Sequence, residues 1–293
     1  MGLQNLHTHS VWCGGGDTLE ELVLEAIRLG MDTIGFSSHS YTPFDRSCCM
    51  TDTDGYIAQC PALKSKYRGK INILCGVEAD YYSDAASYQG KDFDFVIGSV
   101  HYLKCGEEYL PIDESAQILT EGAKKHFCSM AELVRQYYAL EADVVRKTGC
   151  DIIGHFDLIT KFCDVCPQII DTCSQDYTSA RDHALSALIK TGKIFEVNTG
   201  AMARGYRRLP YPDASCLRAI AERGGKVIII DIRQTPAAKN LADLFLQINP
   251  GTDGALALGM AKVIIDNGWA DMDYVNQYTY GFAQYKDLVD QYP

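Results

Sequence analysis

The sequence predicts an α/β fold, a distorted (β/α)7 barrel followed by an extra α-rich C-terminal segment. Short apolar strands alternate with helical stretches through residues 1–231, the pattern of a parallel sheet built from βα crossovers. Seven such units suit a distorted barrel better than an open sheet. Five of the seven histidines fall at or just past the ends of predicted strands, the face where parallel barrels gather their chemistry. A hydrophobic content of 47% is ample for the core this fold needs.

Each unit can be read in turn. Asn5-Leu6-His7-Thr8-His9-Ser10 opens the chain as the first strand. Alternate side chains of a strand share a face, so His7 and His9 point the same way and make a bidentate clamp for a transition metal. That spacing alone fits a pair of surface histidines as well. After a Gly-rich turn, Thr18-Leu19-Glu20-Glu21 reads as a capping box, with Leu22, Val23, Ala26 and Ile27 at helical spacing and Gly30 as the stop. Residues 32–39 read as strand two, ending on His39. Strand three, 70–78, ends on Glu78, and strand four, 93–101, ends on His101. A helix over 130–147 precedes strand five, 151–155, which ends on His155. Helix 180–190, strand six over 193–198, helix 217–223 and strand seven over 225–231 follow, the last ending on Asp231. His126 and His183 lie in helical stretches and read as surface residues.

A net charge of -11 argues against a nucleic-acid or anionic-membrane surface. Phosphate chemistry in so acidic a chain needs local cations, for which metal ions are the obvious source. No apolar run reaches the ~18 residues of a membrane span and no signal-peptide pattern opens the chain, so the expected location is cytoplasmic. The twelve cysteines are spaced irregularly. Cys163-Asp164-Val165-Cys166 reads as two reduced thiols in a loop.

Six ordered motifs carry a resemblance. H-T-H, G-F-S-S-H-S-Y-T-P-F-D, G-V-E-A-D-Y-Y-S-D, V-I-G-S-V-H-Y, D-I-I-G-H-F-D-L-I-T-K-F and F-E-V-N-T-G-A-M-A-R-G-Y-R are similar to those of histidinol-phosphate phosphatases of the PHP (polymerase and histidinol phosphatase) superfamily, as far as about Val227. The resemblance implies two or three divalent metals (zinc, iron or manganese) and a metal-activated hydroxide that attacks the phosphate of L-histidinol phosphate. It implies that His7 and His9 hold one metal, that Glu78 bridges to a second completed by His101 and His155, that His39 helps hold a third, and that Asp231 serves the cluster. Glu78 and Asp231 are then the catalytic carboxylates. Arg204 is the best candidate for the phosphate, with Lys161 and Arg207 behind it, because a guanidinium fits phosphate geometry. Ordinary solvated charge is the alternative for Lys161 and Arg207.

Two departures from the family pattern stand out. The family commonly has Asp-Gly after the first histidine pair, where this chain has Gly14-Gly15, with Asp17 further on. Its last motif reads Ser-Asp-Ser-His or similar, and this chain has Ile230-Asp231-Ile232-Arg233, in which Arg233 stays protonated and cannot ligate a metal. From there the sequence is similar to a segment of molybdopterin-dependent oxidoreductases. That likeness implies contacts from Asp231, Gly251, Thr252 and Asp253 to the guanine-nucleotide ends of a pterin cofactor, in a segment too short for a whole cofactor site. All twelve cysteines lie at or before Cys216. The expected organisation is therefore a phosphatase barrel over 1–231 joined to a foreign segment over 232–293, in which a helix over 253–267 finds its own place. The alternative to an active phosphatase is a metal-binding barrel whose catalysis the atypical tail has crippled.

Overall fold

The computed structural model describes residues 4–224, the backbone of 228–231 and 244–247, and residues 261–262, 265–268, 270, 272, 275 and 282–290. A six-stranded, all-parallel sheet runs β1 (Gln4–Asn5), β2 (Thr33–Phe36), β3 (Asn72–Asp80), β4 (Phe95–Ser99), β7 (Ile152–Ile153) and β8 (Ile194–Phe195) in that spatial order. A hairpin, β5 (Tyr102–Cys105) and β6 (Glu108–Pro111), is inserted after β4. The last two strands of the sheet are short, yet pairing continues past them: Gly154 N donates to Gly98 O and Glu196 N to Ile153 O, each at 2.9 Å.

Helices pack on the sheet where the sequence places them. In α1 (Leu19–Arg28) Thr18 and Glu21 form the reciprocal capping box, and Leu19, Val23 and Ala26 are buried. The spacing of those three puts one apolar stripe against the sheet. The helix α4 (Met130–Thr148) starts at the Ser129 cap and stops at left-handed Gly149. Its face of Leu133, Val134, Tyr137, Tyr138 and Val144 enters the larger of two apolar clusters, with Leu185 and Leu188 of α5 (Gln175–Ile189). Among the elements not foreseen are the hairpin, α3 (Ala116–His126) and α2 (Thr53–Lys66). The stripe of α2, Tyr56, Cys60 and Leu63, is helical, but Gly55 and Pro61 interrupt the sequence signal. His126 of α3 is half-buried beside Glu108, and His183 of α5 is exposed. All twelve cysteines are free thiols, Cys163 and Cys166 included.

Strand seven departs from expectation. Among the described residues, β9 (Ile228–Asp231) has no pairing with the six-stranded sheet. It pairs in parallel with β10 (Leu244–Gln247), Asp231 opposite Gln247, as a separate two-stranded sheet. The Ile228–Ile230 run suits a strand buried on both faces, and the tail supplies its hydrogen-bonding partner. The distorted-barrel class stands, with six hydrogen-bonded strands among the described residues. The Asp231 side chain, Arg233, Gly251, Thr252, Asp253 and most of the expected helix over 253–267 lie outside the described residues.

Candidate metal centre

At the carboxyl end of the sheet, Glu78 is fully buried on β3 and five imidazoles converge on it. Its Oε2 lies 3.0 Å from His7 Nε2, 3.4 Å from His9 Nε2 and 3.2 Å from His39 Nδ1. Its Oε1 lies 2.8 Å from His155 Nε2 and 3.5 Å from His101 Nε2, and accepts from Ser99 at 2.6 Å. The backbone accounts for the convergence. Ser37 N donates to Thr8 O, and the Thr8 hydroxyl donates to Gly35 O. Thr8 is thus turned onto β2 while His7 and His9, one residue to either side, face inward. His39 bridges to Glu78 as the continuation of β2, and His101 follows β4 with its N–H on Asp80 Oδ2 at 2.8 Å. His155 ends β7 at φ 22 and Asp157 follows at φ 80, a left-handed bend that non-glycine residues adopt at a cost. Asp157 meets that cost with hydrogen bonds from the hydroxyls of Tyr138 and Tyr177, which anchor the loop to α4 and α5.

A second ring of groups sets the orientation of the imidazoles. Glu196 Oε1 lies 2.7 Å from His7 Nδ1, and its Oε2 accepts from the His155 N–H at 2.8 Å. Asp80 lies 3.4 Å from His101 Nδ1. Cys13 Sγ lies 3.5 Å from His9 Nδ1. Gly15 fits beneath this segment because a Cβ there would sit 2.6 Å from the His9 carbonyl. Gly14, the residue that departs from the Asp-Gly pattern, has room for a Cβ but sits at φ 93, a left-handed conformation that favours glycine, and Asp17 is exposed and does not line the cavity.

The donor set fits divalent metal ions. His7 has a carboxylate oxygen at each ring nitrogen, as does His101, so each needs a positive charge at both. Burial opposes that charge on both rings, but Glu78 and Glu196 outweigh it at His7, and Glu78 and Asp80 raise His101 to about 9. Burial, followed by the His39 charge, takes His9 down to about 3, and burial also lowers His39. Glu78 is held well below the usual carboxylate range, because the charges of His7, His39 and His101 overcome its burial. A metal ion on the Nε2 side satisfies the same lone pairs that these protons satisfy. Two triads have ligand atoms close enough to share an ion: His7, His9 and Glu78, and His39, Glu78 and His101. Glu78 belongs to both, as a bridge must. The pairing of His101 is with His39, whereas the expected partner was His155. The Nδ1 of His155 is buried without a partner.

Above the cluster opens a cavity of about 830 Å³, lined by the imidazoles, Glu196, Asn198, Tyr211, Arg204, Lys161 and Asp113. Arg204 is exposed there and makes no ion pair among the described residues. Lys161 Nζ donates to Asp113 O at 2.6 Å and Asp113 Oδ2 at 3.0 Å. Arg207 does not line the cavity. It is buried, donates to the carbonyl and hydroxyl of Thr160, and lies over the Tyr211 ring. Its expected place on the phosphate is corrected to that of a strut for the loop carrying Lys161. Arg207→Met is expected to lower unfolding free energy by about 2 kcal/mol, since charged hydrogen bonds to buried acceptors are lost. An unchanged denaturation midpoint would refute the strut role.

Sequence reasoning missed Glu196, Asp80 and Asp113 as site residues. The expected strand six, 193–198, placed Glu196 inside a strand, whereas the observed β8 ends at Phe195 and leaves Glu196 just past a strand end, as the histidines are. Glu196→Gln is expected to weaken metal binding about 10–100-fold, the usual effect of altering a group that orients a metal-bound histidine. Calorimetric metal titration checks this, and an unaltered affinity would leave Glu196 only its bond to the His155 backbone.

A PHP domain model matches residues 5–200. The histidinol-phosphatase of Bacillus subtilis strain 168 is 26% identical over 223 residues, covering 68% of this chain and 81% of that protein. Among solved structures, hisK of Listeria monocytogenes superposes with a TM-score of 0.64 at 21% identity, over 76% of this chain and 92% of its own. The histidinol phosphate phosphatase of Lactococcus lactis, solved with zinc, L-histidinol and phosphate, superposes with a TM-score of 0.56 at 22% identity, covering 76% and 82%. Both share the fold. The C-terminal part is similar to another kind of protein: acetylene hydratase of Syntrophotalea acetylenica is 42% identical over 77 residues, 26% of this chain and 10% of that enzyme.

Proposed function

The chain belongs to the PHP domain family, and from that premise we propose that it hydrolyses L-histidinol phosphate to L-histidinol and phosphate, using divalent metals held by His7, His9, His39, Glu78, His101 and His155. The observation that carries this reading is the shared carboxylate of Glu78 beneath a cavity that also presents Arg204 and Lys161. Ions held there would supply Lewis acidity, acidifying a water nucleophile and offsetting phosphoryl charge. Glu78 ties the two triads together, while Glu196 and Asp80 keep the imidazoles aimed at them. Arg204, free of a carboxylate partner among the described residues, takes the phosphate dianion in bidentate fashion. Lys161 adds a second cation from the far wall, braced by Asp113 and by Arg207 through Thr160.

The B. subtilis relative and the L. lactis structure support the substrate choice. No described helix is long and apolar enough to cross a membrane; a cytoplasmic reaction is part of our proposal. Phosphate release from L-histidinol phosphate, compared with other small phosphomonoesters, tests the reading. A catalytic efficiency no better on L-histidinol phosphate than on the others would remove the substrate assignment.

A second reading draws on the pairing of β9 with β10. Among the described residues the strand bearing Asp231 hydrogen-bonds the tail and not the six-stranded sheet, which supports a reading in which the strand goes with the foreign segment and the join falls before Ile228. On this reading the barrel binds metal with impaired turnover. Metal bound at both triads with no phosphate released would favour it.

A further inference from the structure

The cavity wall holds one carboxylate that neither the metal triads nor the phosphate cations account for. Asp113 follows β6, and its side chain is 30% exposed in the cavity. Lys161 occupies its carbonyl oxygen and Oδ2. Among the described residues no donor reaches Oδ1. A carboxylate kept only as the counter-ion of Lys161 would cancel the charge that a phosphate requires, and here a cavity-lining carboxylate keeps one oxygen without a donor among the described residues. The wall therefore presents a cation and an anion side by side, with unpaired Arg204 in the same cavity. That charge pattern matches an ester whose alcohol bears an ammonium close to the phosphate, because opposite charges at short range fix both register and orientation.

We propose that Asp113 Oδ1 receives the ammonium of the substrate alcohol and makes the site selective for 2-aminoalkyl phosphates. The inference rests on the phosphatase reading above. Asp113 is on this account a specificity residue, separate from the metal ligands. The ammonium sits between Oδ1 and the phosphate, so that its charge offsets the acidity of the wall while Lys161 remains available to a phosphoryl oxygen.

The test compares L-histidinol phosphate with its deamino analogue, 3-(imidazol-4-yl)propyl phosphate, in the metal-loaded full chain. The unmodified protein is expected to favour the amine by about 30-fold in kcat/KM, the scale of a charge-assisted contact. In Asp113→Asn, whose amide oxygen can still accept from Lys161, that ratio should fall to about threefold or less. A ratio near one in the unmodified protein, or one unchanged by Asp113→Asn, overturns the proposal and leaves the phosphatase reading standing. If the variant fails to fold, the ratio in the unmodified protein decides alone. If the unmodified protein hydrolyses neither ester, the phosphatase reading has failed. Calorimetric binding of L-histidinol against the deamino alcohol then judges Asp113, and equal affinities overturn its role.

Discussion

Replacing Glu78 with Gln is expected to empty both metal triads together and to lower kcat/KM by at least ~10³-fold. The carboxylate is the only anionic donor in either triad and contributes an oxygen to each, His7 and His9 on one side and His39 and His101 on the other. Glutamine keeps the volume and one acceptor oxygen but removes the charge. It also leaves an amide N–H₂ pointing at imidazole nitrogens that must bind metal. The loss should be non-additive: His9→Ala made in the Glu78→Gln background should cost nothing further, because the site it serves is already gone. Elemental analysis after gel filtration reads the metal content. Retention of one full equivalent in Glu78→Gln would show that the triads are independent and that Glu78 does not bridge them.

Arg204→Met is expected to lower kcat/KM on phosphate esters about 100-fold while leaving metal content as it was. Arg204 is exposed to the cavity and unpaired among the described residues, so no internal ion pair is broken by its removal. What is lost is a charge-assisted, bidentate contact to a dianion, and most of that loss should appear in KM if the contact is the same in ground and transition states. Lys161 compensates only in part, since two of its three donors are held by Asp113 and the one left cannot replace a bidentate guanidinium. A variant within twofold of the unmodified protein would exclude Arg204 from phosphate binding, and a variant that has lost its metals would show that it acts on the cluster instead.

Much of the metal site was legible in the sequence because it follows from strand geometry. His7 and His9 share a face by alternation, and His39, Glu78, His101 and His155 share an end because parallel strands finish on one side of a sheet. The carboxylates that orient them were not legible. An acidic residue just past a strand looks like any of the chain's 38 Asp and Glu, and only the fold reveals that Glu196 meets His7 from across the sheet. The arginines of the R-G-Y-R-R run posed a related problem. Arg204 and Arg207 are three residues apart, yet one lines the cavity and the other is buried on Thr160, a difference set by a turn of the chain that composition does not encode. Strand seven was read as the closing strand, whereas its described residues, Ile228–Asp231, pair with Leu244–Gln247, because an apolar run specifies burial and pairing without naming the partner. Here the partner came from the tail.

The metal requirement tests the central claim most directly. Chelator-stripped protein can be titrated with manganese, iron(II) or zinc while phosphate release from L-histidinol phosphate is followed. Release should be absent in the stripped protein and should appear only as the second equivalent of metal binds, because Glu78 joins two triads into one reacting centre. Release undiminished by stripping, or no release with two equivalents bound, would contradict the account.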